Sequence, residues 1–128
     1  MSGVTKIAGS PPAEGQSATP VCIPLPLEGS ASSGLIRPPI THTMRSGFVL
    51  LLPGQDVGPH NTGDHEEMII AIAGEGRLEL EGRSPTMFPA GWVAYVPPQT
   101  QHNVINTGAV PLKYLYVVAG TGGVARRD

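Results

Sequence analysis

Glycine and proline interrupt this chain so often that no long element can form in it. The 17 glycines and 14 prolines make up roughly a quarter of the 128 residues, against an average usage of about 12%. Proline removes a backbone donor and glycine costs a helix interior conformational entropy, so long helices are excluded. From residue 40 onward the interruptions separate short apolar or alternating runs at intervals of about 8 to 12 residues, the punctuation of sandwiches and barrels. Strands are expected at roughly 43–52, 58–61, 65–73, 76–81, 86–88, 92–96, 101–106 and 113–118, and no segment carries a 3.6-residue period. The expected fold class is all-β, a small antiparallel β-barrel.

Two of these runs differ in their alternation. Arg77-Leu78-Glu79-Leu80-Glu81 places polar and apolar side chains on opposite faces, as in a strand with one wet side. The run before it is apolar on both faces beyond Glu67: Ile69, Ala71 and Ala73 on one, Met68, Ile70 and Ile72 on the other. One face is expected to line an interior and the other to be covered by the N-terminal segment or by a second copy of the chain, which points to a homodimer. Gly74-Glu75-Gly76 between the runs offers the positive-φ residues of a tight hairpin.

The N-terminal 34 residues are of another kind. Gly, Pro, Ser, Ala and Thr supply 22 of them, and no aromatic residue occurs before Phe48. Such a segment buries too little apolar surface to offset its ordering entropy. Residues 1–34 are therefore expected to form an irregular arm, mobile to about residue 19, with the alternation Val21 to Leu27 able to pack as an extended piece. The domain is expected at 35–122 and a charged tail with Arg126 and Arg127 at 123–128. A formal net charge of −2 excludes a nucleic-acid backbone or an anionic membrane surface as the expected partner. Cys22 is the single cysteine, so no internal disulfide exists. The longest apolar run, residues 68–73, is too short to cross a bilayer, and a cytoplasmic protein is the expectation.

The four histidines are His42, His60, His65 and His102. His65 and Glu67 share one face of a period-two strand, as do His102, Val104 and Asn106 on theirs. A small barrel can aim two imidazoles and a carboxylate at one interior point, a ligand set for a divalent transition metal.

The stretch from Gly54 to Asn106 resembles the two sequence motifs of the cupin family of small β-barrels. The first motif runs Gly, five residues, His-x-His, three or four residues, Glu, six residues, Gly. Here it reads Gly54, His60, Glu67 and Gly74, with Thr62 in place of the second histidine. The second runs Gly, five residues, Pro-x-Gly, two residues, His, three residues, Asn. Here it reads Gly91, Pro97, His102 and Asn106, with Gln99 in place of the turn glycine. A type I turn with Pro98 in its second position would not require that glycine.

The resemblance implies a double-stranded β-helix, or jelly roll, in which His60, Glu67 and His102 bind a divalent transition metal such as iron, manganese, nickel or zinc. The loss of a histidine at Thr62 leaves two histidines and a carboxylate, the set that suits iron(II) with open positions for substrate and oxygen. His65 shares the face of Glu67 and is a candidate fourth ligand. Thr62, Ile69 and Val104 are the expected pocket residues around the site, giving a largely apolar interior suited to a small organic acid or aromatic compound. His42 and Glu66 are read as surface or interface groups, Trp92, Tyr95, Tyr114 and Tyr116 as core or interface, and Gly91 and Asn106 as structural. Two functions remain open: a metal-dependent dioxygenase or isomerase, or a non-catalytic module that binds a sugar or carboxylate.

Overall fold

A computed structural model describes residues 19–121. The expectations for residues 1–18 and for the arginines of the tail lie outside the described residues. Among the described residues there are nine strands and no helix: β1 (Ser33–Gly34), β2 (Arg45–Leu51), β3 (His60–Asn61), β4 (His65–Ala73), β5 (Glu75–Leu80), β6 (Thr86–Pro89), β7 (Val93–Val96), β8 (Gln101–Asn106) and β9 (Leu112–Gly120). The fold is all-β, a jelly roll of two antiparallel sheets, as the punctuation predicts. Among the described residues no helix is long and apolar enough to cross a membrane.

One sheet has the order β1-β2-β9-β4-β7 and the other β3-β8-β5-β6. Side chains of alternate residues meet between them. Val49 and Leu51 of β2, Ile69 and Ala71 of β4, and Leu112 and Tyr114 of β9 enter from the first sheet; Leu78, Phe88 and Val104 enter from the second. Full burial of a leucine or phenylalanine side chain stabilises by about 1.5–3 kcal/mol, so this cluster is the main source of cohesion.

The hairpin expected at Gly74 does not form. β4 pairs with β7 and β9, whereas β5 pairs with β6 and β8. The chain passes from one sheet to the other at Gly74, whose φ is +83°. A Cβ there would stand 2.4 Å from the Pro111 carbonyl oxygen, so the glycine serves a sheet-to-sheet corner packed against backbone. Gly76 has no positive φ and lies within β5.

The outer face of the first sheet is covered in part. β1 pairs with β2, Ser32 Oγ accepts a hydrogen bond from the Leu50 amide, and Lys113 Nζ on β9 donates to the Leu27 carbonyl. The arm therefore runs along β2 as far as β9, and Phe48 is buried. Beyond it, β4 and β7 leave Met68, Val93 and Tyr95 exposed on that face, with Trp92 exposed beside them. Glu66 on the same face accepts a hydrogen bond from the Tyr95 hydroxyl at 2.8 Å.

Candidate metal centre

The two sheets meet at three side chains. β3 and β8 place His60 and His102 opposite each other as register partners, and their rings lie 4.0 Å apart between centroids. β4 of the other sheet brings Glu67, whose Oε1 is 2.8 Å from His102 Nε2. His102 and Glu67 are buried and His60 is exposed.

Each imidazole is oriented by backbone. His60 Nδ1 is 2.8 Å from the Gly58 carbonyl oxygen and His102 Nδ1 is 3.1 Å from that of Thr100. A carbonyl only accepts, so each Nδ1 donates and each Nε2 is left to the centre. With its Nδ1 proton committed, His102 faces Glu67 through Nε2. Burial works against a charge on the ring, but the Glu67 hydrogen bond, the Thr100 carbonyl and the Glu67 charge outweigh it and raise the His102 pKa above its ordinary 6.5.

The loops that carry these residues are tied together. The Thr62 hydroxyl donates to the Pro97 carbonyl at 2.7 Å and accepts from the Thr100 amide at 3.0 Å. The Gln99 amide donates to the Gly63 carbonyl and its side chain to Asp64 Oδ1. The segment between His60 and Glu67 is thereby fastened to the turn that precedes His102. That turn corrects one expectation: Gln99 has φ +57°, a left-handed conformation. A type I turn has negative φ at both central residues, so the glycine of the family motif is replaced at a conformational cost of about 1–2 kcal/mol.

A pocket of about 390 Å³ opens beside Glu67 and His60, within the range of small-molecule sites. Thr62 and His65 line it. Ile69 and Val104, expected there, lie instead in the hydrophobic core and do not line it. His65 is outside the group of His60, Glu67 and His102, whose donor atoms all lie within 4.8 Å of one another. His42 is exposed in the segment before β2. Among the lining residues that escape the motif-based reading are Arg45 on β2, and Tyr114 and Tyr116 on β9. Their signal is parity, because Arg45 alternates with Val49 and Leu51, and Tyr114 and Tyr116 with Leu112. Burial, the Glu67 carboxylate and Tyr116 push the Tyr114 phenol well above its ordinary 10.0, so it stays a neutral donor.

The donor set fits a transition metal. Bonds of about 2.0–2.2 Å place any two donors of one ion within about 4.4 Å, and the three donor atoms here lie within 4.8 Å of one another. The carbonyl contacts at both Nδ1 atoms are the outer-shell partners that metal-bound histidines ordinarily have.

The profile of the cupin domain matches residues 47–120. The chain belongs to the cupin family. No curated protein matches it at a significant level. Among solved structures, this cupin is similar to a predicted oxalate decarboxylase from Thermotoga maritima, with 25% identity over 70% of this chain and 78% of the other, and a TM-score of 0.64. It is similar to a cupin 2 conserved barrel domain protein from Salinispora arenicola, with 26% identity, 74% and 79% coverage and a TM-score of 0.63. The cupin domain of Schizosaccharomyces pombe Cnp3 shares the fold at 14% identity, with 75% and 68% coverage and a TM-score of 0.67.

Proposed function

We propose that this cupin holds one divalent transition metal at His60, Glu67 and His102 and acts on a small organic acid in the adjoining pocket as a metal-dependent oxygenase. The observation that carries this reading is the pair of Nδ1-to-carbonyl contacts, which leave both Nε2 atoms free to bind beside a buried carboxylate that His102 Nε2 already meets at 2.8 Å. Two histidines and one carboxylate leave open positions and suit iron(II), with manganese, nickel and zinc as the competing ions. When bound, the metal would supply Lewis acidity and, as iron, one-electron chemistry with dioxygen. Glu67 contributes the negative charge of the centre, while Val49, Val57 and Val118 give the pocket an apolar wall. The similarity to the Thermotoga maritima protein supports a small carboxylic acid as substrate. His65, on the pocket wall, is proposed to approach the metal as a further ligand only by a change of rotamer.

A second reading, a non-catalytic carboxylate- or sugar-binding module, is favoured by one observation: among the described residues, Glu67 is the only acidic one that lines the pocket. A proton-transfer isomerase would lack a separate carboxylate base there. Elemental analysis of protein purified without a metal-affinity tag tests the proposal. About one equivalent of metal per chain, followed by oxygen consumption with a bound acid, supports it. No metal after anaerobic reconstitution overturns it.

A further inference from the structure

The pocket holds a cation that no carboxylate of the described residues neutralises. Arg45 lines it from the interior face of β2, and among the described residues no carboxylate lies within ion-pair distance of its guanidinium. Its position relative to the metal centre follows from register. Arg45 pairs with Val118 of β9, and Val118 pairs with Glu67 of β4. Arg45 and Glu67 thus stand in one cross-strand row on the same face, two strands or roughly 10 Å apart. Between them lies apolar wall.

A half-buried guanidinium on an apolar wall, with no carboxylate beside it, is open to an anion that could take its charge-assisted hydrogen bonds. A second polar group is also left open. Tyr114 is 3% exposed, lines the same pocket, and its hydroxyl has no hydrogen-bond partner among the described residues. An unmet buried hydroxyl carries a desolvation penalty that a ligand oxygen would remove.

We infer that Arg45 is the specificity-determining residue of this pocket and that the ligand is a small dicarboxylate, with one acidic group at the metal centre and the other in the fork of Arg45. This rests on the metal reading above for the first group only. The guanidinium makes no ion pair with Glu67, which leaves room for a group between them; oxalate, whose two carboxylates can chelate one ion, would leave Arg45 unmet. A four-carbon diacid can span the row, and the Arg fork matches its carboxylate with two parallel donors.

Succinate and butyrate share a four-carbon chain and differ by one carboxylate, so their affinities isolate the Arg45 contact. Titration calorimetry of the metal-loaded full chain is expected to show succinate binding at least about tenfold tighter than butyrate, the range of a charge-assisted hydrogen bond. In Arg45→Gln the ratio is expected to fall to about one with metal content unchanged. Arg45→Lys, which keeps the charge and loses the fork, is expected to retain part of the ratio, and it serves as the test if the glutamine variant does not fold. A wild-type ratio near one overturns the inference, as does a ratio that both variants leave intact. Metal content measured on the same samples separates the two readings. Protein that takes up no metal but still discriminates succinate through Arg45 sinks the metal reading alone. Metal-loaded protein that does not discriminate sinks this inference alone.

Discussion

Gly74 ends the first cupin motif, and its surroundings set what replacing it would cost. Two separable terms act on Gly74→Ala. The first is conformational: an alanine at φ +83° loses about 1–2 kcal/mol. The second is steric, since the new Cβ would stand 2.4 Å from the Pro111 oxygen and 3.0 Å from Leu112 Cα, where ordinary contact begins at 3.4 Å. The Pro111 carbonyl would have to retreat by about 1 Å, the difference of 3.4 and 2.4. Leu112 beside it is fully buried, so the strain falls on the core, at about 1–3 kcal/mol. Gly82 is the internal control, with φ +80° and nothing within 4 Å of where an alanine methyl would stand. Gly82→Ala is expected to cost about 1 kcal/mol and Gly74→Ala about 2–4 kcal/mol, the gain from a stiffer unfolded chain being common to both. At about 4–8 °C per kcal/mol for a domain of this size, the melting temperatures of the two variants should separate by some 5–20 °C. Urea unfolding in chelator, fitted to two states with the slope checked for constancy, gives the free energies. Equal losses for the two variants would refute the idea that close approach, and not φ alone, requires glycine at this corner.

Three further outcomes follow from the site and the surface. His102→Ala is expected to lower bound metal more than tenfold by elemental analysis while circular dichroism stays that of a β protein; unchanged metal would sink the ligand assignment. The metal-free protein should lose stability with rising pH. The folded-state pKa of His102 is raised, so its contribution is complete below about 6.5 and fades as pH climbs through the higher folded value, with a slope of at most about 1.4 kcal/mol per pH unit. A flat urea midpoint from pH 6 to 8.5, or the same slope in His102→Gln, would contradict that. The exposed Met68, Val93 and Tyr95 are expected to bury against a second copy of the chain, so light scattering should give a dimer mass that Met68→Lys reduces to a monomer; a wild-type monomer at micromolar concentration removes this expectation.

The resemblance to the two cupin motifs made His60, Glu67 and His102 legible as a set, whereas strand period alone paired Glu67 with His65. Strand positions were legible from punctuation and alternation. Pairing was not. β4 lies beside β9, whose residues are some 50 positions away in sequence, and nothing local distinguishes that partner from the adjacent β5. Ile69 and Val104 share a face with metal ligands, yet they sit deeper along their strands, where the two sheets close on each other. Arg45 and Tyr116 show the converse: they lie before and after the motif stretch and reach the pocket only because β9 pairs with β4 and β2 pairs with β9. The left-handed φ of Gln99 was hidden by Pro98, which fits both a type I and a type II turn at that position.

Thr62 stands where the family motif has a histidine, and its hydroxyl bridges the Pro97 carbonyl and the Thr100 amide. A substitution that placed an imidazole at position 62 would cut that bridge in the same step, loosening the turn that aims His102. A fourth ligand could be added there only after another group had taken over the fastening, so the number of ligands at the centre and the rigidity of its loops are exchanged at a single side chain.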